Sequence, residues 1–250
     1  MTRRTGTSET SGTGSVSGTC EGAKNVAETV IRLDASRQDR AAAVLARAFR
    51  NDPIQRYVIP DGGRRARVAP WIFGSAVRYC LPHGGVYAAP DLGGVACWLP
   101  PGVGTADALG MIRSGKISAP LRLGPAAFLR FMGIASYMTA ERKRLVPAPH
   151  WYLLAIGVEP SRQGEGIGGA LLEPALSRAD ADVTPCYLET QTERNVKFYE
   201  RHGFAVTSVG EPRGLRVWTM LREPRPTVPT EETAGTSIRS QRNNDAKEER

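Results

Sequence analysis

Apolar positions in this chain repeat with two periods. Residues 150–158 (HWYLLAIGV) are apolar on both faces of a strand: Trp151, Leu153 and Ala155 on one, Tyr152, Leu154 and Ile156 on the other. A strand of that kind belongs at the centre of a sheet covered on both sides. Shorter alternating runs predict an opening strand at 29–33 (TVIRL) and a hairpin from VYAAP and GGVACWLP around Asp91-Leu92. PCYLET, FAVTSV and GLRVWTML predict three further strands. Helical spacing appears in AAAVLARAFRND, through Ala43, Leu45, Ala46 and Phe49, with Asp34 or Ser36 as caps and Pro53 as the stop. RVAPWIFGSAVRYCL predicts an interrupted helix containing Pro70, with the aromatics Trp71, Phe73 and Tyr79 assigned to core. Residues 104–145 predict two helical pieces divided near Ala119-Pro120 and Gly124-Pro125, a region that could cover an acceptor pocket. A helix from about Gly166 buries Ile167, Ala170, Leu171 and Ala175, with Pro174 inside it. A short one follows, capped by Thr192 and ended at Gly203. Strand, helix and strand over 150–190 make a parallel βαβ unit, and the class is α/β.

The ends of the chain lack this patterning. Residues 1–24 and 224–250 hold almost no large apolar side chains, so they are expected to be disordered tails around one domain at 25–223. The net charge of +8 draws on Arg64, Arg65, Arg67 and the segment 113–144. Such a surface attracts nucleic acid or an anionic small molecule. No zinc-finger spacing or basic–aromatic repeat supports nucleic acid, so a solvated face is expected and no nucleic-acid partner. Cys20, Cys80, Cys97 and Cys186 form no CxxC pair and read as free thiols in a reducing compartment. Arg3-Arg4 is followed by no apolar stretch, and no run approaches the length of a membrane span. A cytoplasmic protein without a membrane partner is expected.

The sharpest chemical signal is Gly164, Gly166, Gly168 and Gly169 at the start of a helix after the central strand. Glycine lets the backbone approach a ligand, consecutive N–H groups converge on one anion, and the helix dipole adds to the attraction. A phosphate group is the natural ligand. Gly164, Gly166 and Gly169 satisfy GxGxxG, but Glu159 to Arg162 separate them from the strand and the unit comes late in the chain. No GK[ST] follows, which excludes a nucleoside-triphosphate loop.

Gln163-x-x-Gly166-x-Gly168, after a strand ending Gly157-Val158, resembles the acyl-CoA loop of the GNAT N-acetyltransferases. Asn195-x-x-x-Tyr199 followed by Gly203-Phe204 resembles that family's second motif. The resemblance spans most of residues 28–222 and is thinner in the N-terminal half. It implies a central twisted mixed sheet of about six to seven strands flanked by helices, with acetyl-CoA as co-substrate and no metal. Backbone groups of Ile156, Gly157 and Val158 would pair with the pantetheine arm. Amides of Gln163, Gly164, Glu165, Gly166, Ile167, Gly168 and Gly169 would hold the diphosphate, and Asn195 and Tyr199 would reach the cofactor. Glu165 departs from the pattern, because a basic residue is common there and a carboxylate beside a diphosphate is unfavourable unless it points to solvent.

The implied reaction is direct attack of an amine on the acetyl thioester in a ternary complex. Tyr199 is the candidate acid for the leaving thiolate. Glu189, which ends the strand after the glycine helix, is the candidate base, with a water relay as the alternative. Without the motif, Tyr199 reads as a packed aromatic. His83, His150 and His202 stay outside the site. The acceptor is expected to be a small-molecule amine, such as an aminonucleoside-like antibiotic. A protein or peptide N-acetyltransferase and a non-catalytic acyl-CoA-binding module are the competing readings. The oligomeric state is left open between monomer and homodimer.

Overall fold

The computed structural model describes residues 30–104 and 114–225. Both predicted tails, apart from Pro224 and Arg225 at the edge of the second, lie outside the described residues, as do Cys20 and most of the first helical piece predicted within 104–145.

Seven strands form one mixed sheet in the order β1-β2-β3-β4-β5-β7-β6. They are β1 (Ile31–Arg32), β2 (Val86–Ala88), β3 (Gly94–Leu99), β4 (Trp151–Val158), β5 (Cys186–Thr190), β6 (Ala205–Gly210) and β7 (Val217–Arg222). The predicted hairpin is β2–β3, and the apolar run at 150–158 is the central strand. β4 and β5 are parallel; the other neighbours are antiparallel.

On one face lie α1 (Gln38–Ala48) and α3 (Gly62–Cys80). Their residues Val44, Leu45, Phe73 and Val77 form a core with Val95, Cys97, Tyr152, Ala155 and Tyr187. On the other face lies α6 (Ile167–Ala181), whose Ile167, Leu171, Leu172 and Ala175 pack with Ala96, Trp98, Leu153 and Leu188. The glycines of the sheet permit this closeness. A Cβ on Gly94 would sit 2.8 Å from both Ile167 and Leu171, and one on Gly157 would sit 2.7 Å from Ala48.

Three expectations are corrected. Cys97 pairs with Ala155 but Trp98 pairs with Leu153, so Leu154 is an extra residue, a β-bulge in β4. The insertion reverses the alternation beyond it. Ala155 therefore joins Tyr152 on the α1 face, while Ile156 and Val158 join Trp151 and Leu153 on the α6 face. Pro53 does not stop a helix. α1 ends at Ala48, and Pro53 occupies the first turn of α2 (Pro53–Val58), where its missing N–H leaves no bond unmade. Asp52 caps α2 by accepting from the Gln55 N–H at 3.0 Å. The interrupted helix is one continuous α3 that starts earlier than expected, capped by Asp61, and keeps Pro70 inside it.

The region before β4 builds a layer of its own. α4 (Ala119–Leu123) and α5 (Pro125–Leu145) meet at Gly124, whose positive φ of 69° makes the predicted break. Ala119, Leu123 and Ala127 pack with Val58 and Ile59 in a third, smaller core. Arg130 of α5 donates to the Val58 carbonyl at 3.0 Å. Among the described residues, no helix is long and apolar enough to cross a membrane.

Candidate active site

β4 and β5 run side by side only at Trp151↔Cys186 and Tyr152↔Tyr187. Beyond Tyr152 the strands part, because the bulge turns β4 and β5 continues against β7 through Thr190. The β5-facing edge of β4, from Leu154 to Val158, is left without a strand partner. Its N–H and C=O groups are available to an extended ligand, at the carboxyl ends of parallel strands where α/β sheets open crevices.

The glycine loop sits at the same end, between β4 and α6. Gly164 and Gly166 have φ of 95° and 83°, and nothing lies within 4 Å of where their side chains would be. Gly166 caps α6, leaving the N–H groups of Ile167, Gly168 and Gly169 in its first turn with no intrahelical acceptor. Gly168 and Gly169 have a further reason to be glycine. Their missing side chains admit α7 (Glu193–Glu200) and the turn after it: a Cβ would lie 3.2 Å from Phe198 at 168 and 2.9 Å from His202 at 169. His202 is fixed by its Nδ1 contact with the Phe198 carbonyl at 2.8 Å, a structural role. Gln163 is exposed and its Nε2 donates to the Val158 carbonyl at 3.4 Å.

The loop's acidic residue is ion-paired. Glu165 accepts from Arg162 Nε at 3.0 Å, and the same guanidinium bonds Asp91 in the β2–β3 turn. Arg47 of α1 grips Glu159 at the end of β4, its Nε 2.8 Å and 3.1 Å from the two oxygens. Arg47, Glu159, Arg162 and Asp91, with Arg40, line a cavity of about 350 Å³ beside the loop.

Tyr199 and Glu189 lie on opposite faces of the sheet. Tyr199 is buried on the α6 face among Val196, Phe204, Ile156 and Val158. Burial raises its pKa well above the ordinary phenol value, so it keeps its proton at neutral pH. Glu189 shares the other face with Tyr152 and Tyr187. Burial pushes its pKa up to about 7, although the hydroxyls of Tyr152 and Tyr187 and the charge of Arg142 favour its ionised form. Its Oε1 and the Tyr187 hydroxyl are both buried without a hydrogen-bond partner. Arg142 reaches down from α5, its guanidinium 4.4 Å from the Tyr152 ring centre. Asn195 is exposed on α7, one turn before Tyr199, and its N–H donates to the Thr192 cap at 3.4 Å.

Sequence reasoning missed Tyr152, Tyr187, Arg142 and Arg162. The alternation Tyr187-x-Glu189 puts one tyrosine on the carboxylate's face, and Arg162-x-x-Glu165 is an ion-pair spacing. Tyr152 and Arg142 come into place only through sheet register and helix docking.

A family model described as an acetyltransferase (GNAT) domain matches residues 127–206, from α5 to the start of β6. An uncharacterized N-acetyltransferase of Schizosaccharomyces pombe is 26% identical over 213 residues, covering 81% of this chain and 86% of that protein. A solved structure from Corynebacterium glutamicum, described as histone acetyltransferase HPA2 and related acetyltransferase, aligns with a TM-score of 0.54 at 25% identity, over 80% of this chain and 98% of its own. Arylalkylamine N-acetyltransferase 2 from Aedes aegypti aligns with a TM-score of 0.58 over 78% of this chain and 98% of its own, and at 13% identity that likeness is one of fold. Together these likenesses support the GNAT acetyltransferase family for this chain and, with it, an acyltransferase enzyme.

Proposed function

We propose that residues 25–223 form a domain that transfers an acetyl group from acetyl-CoA to an amine of a small molecule. The observation that carries this reading is the unpartnered edge of β4 opening directly onto the free N–H groups that begin α6. An extended amide-bearing arm ending in a diphosphate fits such a combination. Ile156 to Val158 would hold the arm, and Gln163 to Gly169 the diphosphate.

Acetyl-CoA, when bound, supplies an acyl thioester. Glu189 accepts the acceptor's proton at its buried carboxylate, and a value near neutrality suits a base that must also release the proton. Tyr199 holds a proton at Oη for the departing sulfur, with Asn195 one turn away on the same helix. A backbone N–H near Val158 polarises the thioester carbonyl. Positioning of both reactants supplies much of the remaining acceleration.

Within the family, WYLLAIGVEPSRQGEGIGGALL, YLET and NVKFYERHGF most resemble puromycin N-acetyltransferase. Aminonucleoside-like amines therefore head the acceptor panel, and antibiotic resistance and a cytoplasmic location belong to the same proposal. Calorimetry with acetyl-CoA, followed by an amine panel read by release of free CoA, tests it. No heat on adding acetyl-CoA removes the reading, whereas binding without CoA release on any amine reduces the chain to an acyl-CoA-binding module.

A further inference from the structure

A carboxylate in a loop whose main-chain N–H groups are to receive a diphosphate opposes binding by Coulomb repulsion. Glu165 is such a carboxylate, flanked by the two open, left-handed glycines Gly164 and Gly166. The structure answers it with one side chain. Arg162 engages Glu165 through both Nε, at 3.0 Å, and Nη2, at 2.9 Å. Its remaining nitrogen, Nη1, is bonded to Asp91, which lies 71 residues earlier in the chain, in the β2–β3 turn. Asp91 is itself fixed by accepting from the Gly93 N–H at 2.8 Å. Gly93 leaves the necessary room, because a Cβ there would fall 2.3 Å from Arg162 Nη1. The guanidinium is thus oriented from a rigid hairpin and presents its edge to the loop acid.

Resting on the acetyl-CoA reading above, we infer that Arg162 is a positioning residue for the diphosphate cradle: clamped by Asp91, it turns the Glu165 carboxylate onto itself and screens its charge, so that the main-chain N–H groups meet an anion with less opposition from the loop acid. Arg162 acts through Glu165, and the diphosphate is held by backbone. This distinguishes it from a basic loop residue that binds phosphate directly, and it predicts an epistatic relation between positions 162 and 165.

The test is CoA affinity, measured by calorimetry on the full chain and on R162A, E165Q and the double variant. R162A should weaken binding about fivefold to tenfold, the cost of exposing one unscreened carboxylate near the ligand. E165Q should bind at least as tightly as the unsubstituted chain, and adding R162A to E165Q should change affinity less than about twofold. Gly93→Ala, which displaces the guanidinium without removing its charge, should reproduce the R162A loss. A merely structural role for Arg162 would not be rescued by E165Q. An R162A loss that persists undiminished in the E165Q background means that Arg162 grips the diphosphate itself, and it overturns the inference. An R162A affinity within twofold of the unsubstituted chain also overturns it. Absence of CoA binding by the unsubstituted chain overturns the acetyl-CoA reading and this inference together, whereas binding with an additive cycle overturns this inference alone.

Discussion

Two helices of the molecule, α6 against the sheet and α5 in the layer built before β4, are made to different standards. α6 buries Ile167, Ala170, Leu171, Leu172, Ala175, Leu176 and Ala179, and it reaches the sheet only because Gly94 has no side chain. α5 is longer, yet fully buries only Ala127 and Ile134. It leaves Leu129 69% exposed, packs against α2, α4 and the turn at 212–214, and meets the strands through polar side chains such as Arg142 on Tyr152. Its inward residues Tyr137, Glu141 and Arg142 are half-buried and polar. On the proposed function, the contrast separates two tasks. A cradle for one invariant ligand is best made rigid, by close-packed apolar contact. A roof over a variable acceptor must leave space, and its specificity rests on a few polar groups. The two candidate proton-handling residues also lie apart, Tyr199 beside α6 and Glu189 on the sheet's other face.

Substitutions that touch one face at a time probe this contrast. The largest effect should come from Tyr199→Phe, which removes the acid while keeping the packing. Turnover should fall at least about 100-fold, with CoA affinity changed less than threefold by calorimetry. Unchanged turnover takes Tyr199 out of the acid role.

Glu189→Gln should lower turnover about tenfold to 100-fold and abolish the rise in rate through a pH of about 7. An intact pH profile would point to a water relay. The same substitution tests burial. The folded-state pKa of Glu189 is raised from an ordinary 4.5 to about 7, so its contribution to stability is full below 4.5 and is lost as pH rises through 7. The melting temperature of the Gln variant should therefore gain on the unsubstituted chain across that window and run parallel to it below.

Smaller effects come from packing alone. Gly94→Ala pushes a methyl group to 2.8 Å from Ile167 and Leu171 and should cost about 1–3 kcal/mol of stability by denaturant unfolding. Leu129→Ser, on the exposed side of α5, should change stability by less than about 0.5 kcal/mol. If both positions respond alike, the two helices do not differ as described.

Local pattern revealed what depends on local physics. The central strand, the hairpin, the glycine-led helix and the Thr192 cap of the helix after it were all readable from periodicity and turn chemistry. What pattern did not show depends on contacts far along the chain. The bulge at Leu154 leaves no mark in a uniformly apolar run, so the faces beyond it were misassigned. Pro53 carries the same restriction before a helix as after one, and only the Asp52 cap decides between them. Four glycines looked equivalent, yet Gly164 and Gly166 are there for backbone torsion, whereas Gly168 and Gly169 also make way for Phe198 and His202. Glu189 was identified as a carboxylate at a strand end. Burial raises its pKa, and the neighbours that moderate the rise, Tyr152 and Arg142, come from another strand and from α5.

Only two residue pairs join β4 to β5, so the molecule behaves as two leaves sharing a short spine at Trp151 and Tyr152. An occupant lying in the seam would stitch the leaves together along the rest of their length. Amide hydrogen exchange in 153–158 and 186–190 should then slow on adding CoA, while exchange within the β6–β7 pair stays as it was.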